Sequence, residues 1–170
     1  MTGRNRSKAQ SIIETVVGII FMIPVVLFLF DIGVMVLANT ANDNLAKQAA
    51  RAAASATPPG NPPPDPRDPA NHSAYETAGK TAADQVVSNY ANASKSVYMQ
   101  NVSLAKIWYD HKPQTGSNPP PGNIDGDPGD GNVSVFTYME CVPPVPFPGF
   151  NTKRTFYARA VEPIVALPPS

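Results

Sequence analysis

A chain of 170 residues with 13 Lys+Arg against 13 Asp+Glu carries no net charge, which removes the electrostatic case for a nucleic-acid partner. Its single cysteine, Cys141, excludes an intrachain disulfide framework, and twenty prolines, mostly clustered, point to long irregular connections. One helix and a Pro-rich linker take about a third of the length, leaving about 100 residues for a small domain with a modest core.

Residues 1–9 are short and basic (Arg4, Arg6, Lys8) and read as a cytoplasmic leader, because excess Lys/Arg beside a spanning segment stays inside. From Ser11 to Ala38 the chain is strongly apolar, and Glu14 and Asp31 are its only charged residues. As a helix, Val16 to Ala38 rises about 34 Å, enough to cross a bilayer core. A secretory signal peptide cut after Ala38 is the competing reading. Against it, the apolar stretch is longer than an ordinary signal core, and the helical pattern continues past Ala38. A carboxylate at membrane depth is costly, so Glu14 either has a partner or snorkels to the headgroups near Lys8. Asp31 lies deeper, where a polar kink would face a neighbouring helix, and Pro24 at mid-span removes one backbone hydrogen bond and should bend or loosen the helix. Beyond Ala38, residues Ala41, Leu45, Ala49, Ala52 and Ala56 share one face, with Asn42, Lys47 and Arg51 off it. The helix is expected from about Gln10 to Ser55, ended by Thr57-Pro58-Pro59-Gly60. Its alanine-rich face suits close packing in a bundle or filament.

These residues resemble the TadE-like minor pilins of the Tad (tight adherence, type IVc) pilus. The resemblance rests on an ordered set: Arg6-Ser7-Lys8-Ala9-Gln10-Ser11-Ile12-Ile13-Glu14, then Pro24, then Asp31-Ile32-Gly33, then Asn44-Leu45-Ala46-Lys47-Gln48-Ala49-Ala50-Arg51. It covers residues 4–55 and, weakly, the final strands. It implies prepilin cleavage between Ala9 and Gln10, which makes Glu14 the fifth mature residue, where type IV pilin-like proteins place their assembly glutamate. Pro24, Asp31 and Gly33 would then serve helix kinking and packing. Ala9 stands where glycine is usual before the cut, and the proline lies about one turn further from the glutamate than in the family pattern.

Downstream, PPGNPPPDPRDP (58–69) is a semi-rigid polyproline-like spacer, with a ligand for a partner as the less favoured reading. Ser73-Ala74-Tyr75-Glu76 reads as a capping box. Tyr75, Ala78, Ala82, Val86 and Tyr90 then form an apolar stripe, predicting an amphipathic helix over about 74–89. Strands are expected at 97–109, 132–142 and 154–162. In the second, Val133, Val135, Thr137, Met139 and Cys141 face one way. In the third, Phe156, Ala158 and Ala160 lie opposite Tyr157, Arg159 and Val161. Within that strand Cys141 reads as a buried small hydrophobe, with intermolecular crosslinking as the alternative.

The chemistry-bearing candidates are few. Asp125, Asp127 and Asp130 with their glycines could approach Ca²⁺. An EF-hand fails, however, since Gly129 and Phe136 occupy its fifth and twelfth positions, and a solvated turn-rich loop is the preferred reading. His72 and His111 share no ligand spacing, and GxSxG, HExxH, CxxC and phosphate-loop motifs are missing from the sequence, so no catalytic residue, cofactor or metal is assigned. Four Asn-X-Ser matches (Asn71, Asn92, Asn101, Asn132) read as chance in a chain rich in both residues. Trp108-Tyr109 and Phe147–Phe150 are aromatic material for packing or a subunit contact.

The expected architecture is therefore α+β. A long N-terminal transmembrane helix is followed by one amphipathic helix on a roughly three-stranded antiparallel sheet. The expected parts are a leader (1–9), a transmembrane helix with its alanine-rich extension (10–56), a Pro-rich linker (57–72) and a small extracytoplasmic domain (73–170). The implied role is a membrane-inserted minor pilin or pseudopilin in assembly of a Tad-type secretion and adhesion pilus. It would sit in the bacterial inner membrane as a single-pass protein. Its implied partners are other pilin or Tad subunits and a prepilin peptidase. The alternative is a membrane-anchored extracytoplasmic binding or structural module that never enters a filament.

Overall fold

The computed structural model describes residues 3–60, 64, 68–93, 98–110, 131–145 and 153–164, with side chains from Gln10 onward and Pro69 excepted. The first helix, α1, spans Gly3–Ala54, and its helical backbone continues through Pro24. A 3-10 turn (Pro69–Asn71) leads into α2, His72–Ala93. Three strands follow, β1 (Met99–Asp110), β2 (Asn132–Cys141) and β3 (Arg154–Pro163), paired antiparallel in the order β1-β2-β3. The expected α+β architecture is the one observed.

The distal half of α1 is part of the domain's core. Ala38, Asn42, Leu45, Ala46, Ala49, Ala50 and Ala53 are buried, a run at helical spacing that lies on the inner face of the sheet. Residue numbers rise along α1 as they fall along β2: Ala38 clusters with Met139 and Cys141, whereas Leu45 to Ala53 cluster with Val133 and Val135. Along β3 they rise together, from Asn42 at Phe156 to Arg51 at Glu162. The small side chains let a helix axis lie close to the sheet, and the β-branched valines fill the space between.

Asn42 lies on this buried face, whereas the apolar pattern placed it off. Its amide nitrogen donates to the Phe156 carbonyl at 3.0 Å, and its side-chain oxygen accepts from the Thr137 hydroxyl at 2.8 Å. One fully buried side chain thus ties α1 to β2 and β3 together.

In α2 the residues of the expected stripe are half-buried, and the buried centre line is Gly79, Ala83 and Val87, one position along. The capping box does not form, because Ser73 is already inside the helix, where its carbonyl accepts from Thr77 Oγ1 at 2.8 Å. The entry turn is held instead by Asp68, whose carboxylate accepts from the Ala70 N–H and whose carbonyl accepts from the Asn71 N–H. The linker is fastened to this helix where the Tyr75 hydroxyl donates to the Pro64 carbonyl at 2.8 Å.

In β2 all five residues from Val133 to Cys141 expected on one face are buried. In β3 the inner Ala158 and Ala160 are buried and the outer Tyr157, Arg159 and Val161 exposed. Strand β1 is less regular. Extra residues interrupt its pairing between Gln100 and Ser103 and between Leu104 and Lys106, and Asn101 sits at φ 49°. Asparagine tolerates this left-handed conformation, and here its amide also donates to Glu140 Oε2 at 2.6 Å. The two bulges leave Val102, Leu104, Ile107 and Tyr109 packed on the core.

Tyr109 reaches the junction of α1, α2 and β1. Burial, with the Glu76 carboxylate adding to it, pushes its hydroxyl from 10.0 up to about 12. Below pH 10 both folded and unfolded chains keep the proton. Between 10 and about 12 the unfolded chain releases it while the fold retains it, so stability should fall as pH rises through that window. Urea midpoints measured at pH 9 and 11 should show this loss, and Tyr109→Phe should lessen it.

Candidate functional site

The part of the molecule that the domain leaves bare is the proximal half of α1. From Ser11 to Phe30, twenty residues rising about 30 Å, every side chain is exposed except those of Pro24 and Phe28, which are half-buried. Phe21 is 72% and Ile12 64% exposed, values that a water-soluble helix could not sustain along its whole circumference. The segment is long and apolar enough to cross a membrane, and its length matches a hydrocarbon core of about 30 Å. Asp31 and Ala38 are buried while Ile32, Val36 and Leu37 stay exposed, so from Asp31 onward the apolar run read from the sequence is covered on one face only.

Asp31 marks where that cover begins. It turns toward its own domain, where Oδ1 accepts the Val145 N–H at 3.2 Å. Only 1% of the residue is exposed, and Oδ2 has no hydrogen-bond partner among the described residues. Its proximity also contributes, after burial, to raising the thiol of the fully buried Cys141. That favours the neutral, unreactive thiol and a packing role for Cys141.

Glu14 lies one turn inside the start of the bare segment and is exposed, contacted by the Gln10 amide at 3.3 Å. This is an i,i+4 contact on one helix surface, weak enough to be exchanged for a stronger partner. Gly18 and Gly33 face open space, with nothing within 4 Å of where a side chain would begin. The structure therefore brings Glu14, Gly18 and Gly33 to a free helix surface and takes Asp31 away from it. The Ala9 side chain, His111, the acidic loop with Asp125, Asp127 and Asp130, and the Phe147–Phe150 segment lie outside the described residues. Among the described residues, no three His, Cys, Asp or Glu side chains gather.

No family model, curated protein or solved structure matches this chain.

Proposed function

We propose that the chain is a membrane-inserted minor pilin or pseudopilin of a Tad-type pilus, anchored in the bacterial inner membrane by Ser11–Phe30 with its domain on the extracytoplasmic side. The carrying observation is the combination of a bare apolar helix half with one carboxylate, Glu14, exposed near its start. Such a helix needs either lipid or other helices around it, and a filament core supplies the second when the first is withdrawn. Cleavage between Ala9 and Gln10 by a prepilin peptidase creates an α-amino group that is mostly charged at neutral pH. A neighbouring copy's Glu14 pairs with that amine in apolar surroundings, fixing axial register while apolar packing supplies most of the affinity.

The mature N-terminus, sequenced from membranes, tests the reading. Gln10 as first residue supports it, Asn39 identifies a secreted domain, and an intact start identifies an anchored module outside any filament. Glu14→Ala should leave membrane insertion unchanged. It should weaken subunit association by about 3 kcal/mol or more, the cost of leaving the buried amine unpaired, and so deplete the protein from sheared filaments. Undiminished incorporation of Glu14→Ala would refute the pairing.

A further inference from the structure

The inner face of the sheet is covered by α1 and α2, and its outer face is covered by no described residue. Strand register places three aromatic residues on that outer face along one diagonal. Trp108 on β1 lies in the row of Ser134 and Val161, Phe136 on β2 in the row of Lys106 and Arg159, and Tyr157 on β3 in the row of Tyr138 and Ser103. With strands about 4.8 Å apart and alternate residues about 6.8 Å apart, successive members are about 8 Å from each other. The ends of the line are the most open, Trp108 at 58% and Tyr157 at 74% exposure.

Two cations flank the line. The Lys106 ammonium lies 4.8 Å from the centre of the Trp108 ring, and the Arg159 guanidinium 5.3 Å from that of Phe136. Neither forms a salt bridge among the described residues; Arg159 has only the Ser134 hydroxyl, at 3.3 Å. By contrast the nearby Lys153 is neutralised by Glu140. The centre of the face is therefore positive, and its cations rest on rings where an incoming carboxylate can draw them away.

We propose that this face binds a linear anionic polysaccharide of the polyuronate type. A sugar ring presents C–H groups of slight positive charge, which meet the negative face of an aromatic ring. Carboxylates repeating along the polymer meet Lys106 and Arg159 on either side of the line, and the hydroxyls of Tyr138 and Tyr157 offer hydrogen bonds to the sugar. The surface is open, suited to an extended chain that can lie along the aromatic diagonal. Asp110, on the outer face toward one end, disfavours the denser charge of nucleic acid.

Trp108 is the only tryptophan, so its fluorescence reports on the site in the unmodified full chain held in non-ionic detergent. Titration with a hexameric oligogalacturonate should give a saturable change that weakens as salt rises. Maltohexaose, its uncharged counterpart, should bind at least about tenfold more weakly, the loss expected when the charge-assisted contacts are missing. Lys106→Gln, Arg159→Gln and Tyr157→Ala should each weaken oligogalacturonate binding about tenfold while the circular dichroism spectrum stays unchanged, since these side chains lie outside the core. The proposal is overturned by an unsaturable or absent response, by equal binding of maltohexaose, or by tighter binding of a single-stranded oligothymidylate. Variants that bind like the parent overturn it as well.

Discussion

Replacing Asn42 with Leu should lower the stability of the domain by about 3 kcal/mol, a shift of about 15 °C in thermal midpoint for a domain of this size. Leucine has the same branching and number of side-chain heavy atoms but more bulk, so the cost is not a cavity. It comes from the buried partners: the Phe156 carbonyl loses its donor at 3.0 Å, and the Thr137 hydroxyl its acceptor at 2.8 Å. Thr137 retains one weaker option, the backbone carbonyl of residue 42 at 3.5 Å. The Phe156 carbonyl gains no replacement from a leucine, so it bears most of the penalty. Adding Thr137→Val to Asn42→Leu should restore about 1 kcal/mol, because it removes one stranded group and adds apolar contact. Thermal unfolding of the four members of this cycle in detergent, followed by circular dichroism, measures both effects. Equal midpoints for the parent and Asn42→Leu would show that the buried amide contributes no net stability.

Gly79→Ala should also be destabilising, by about 2 kcal/mol after the gain in helix propensity is counted. An added Cβ would fall 2.8 Å from the Ala53 carbonyl oxygen and would overlap the Tyr109 hydroxyl. The tyrosine end can rotate or shift at some cost. The Ala53 carbonyl belongs to the backbone of α1 and moves only if the two helices separate, which opens the core around Ala49, Ala53 and Ala83. Tyr109→Phe in the Gly79→Ala background should therefore recover part of the loss and leave the rest. Gly33→Ala is the matched control: the new methyl meets open space and should be neutral or stabilising by up to about 1 kcal/mol.

Much of this fold was readable in the residues, and the misplacements have physical causes. Strand β2 alternates between Val133, Val135, Thr137, Met139 and Cys141 on one side and polar or aromatic side chains on the other, so its faces follow from period two alone. Alanine carries little information about direction, and α1 has it on most sides between Ala38 and Ala54. Apolar periodicity therefore leaves out Asn42, the polar residue at the centre of the covered face. A buried amide with both ends satisfied leaves no trace in an apolar pattern. In α2, Gly79 leaves no mark in an apolar stripe for a related reason: it serves close approach to α1 and Tyr109 and adds no bulk. The turn at Ser73 has the letters of a cap, but Asp68 captures the entry turn five residues earlier.

For the candidate site, Glu14 and the apolar run were visible at once. Asp31 reads from the sequence as facing a neighbouring helix, whereas it faces its own domain, because its partner, the Val145 N–H, is 114 residues away in sequence. The outer aromatic diagonal is a property of three strands in register, and the two bulges in β1 shift it by amounts that no single strand reveals.

The continuity of α1 has a mechanical consequence. The apolar half and the spine of the domain are one rod, with Ala38 to Ala53 clamped between sheet and second helix. A pull or twist applied at Glu14 therefore reaches the sheet along one helix, in which Pro24 is the proline that removes a backbone bond. Load would be carried by shear along the alanine seam and by the polar ties at Asp31, Asn42 and Arg51, so the domain is held to its anchor along the whole length of that seam.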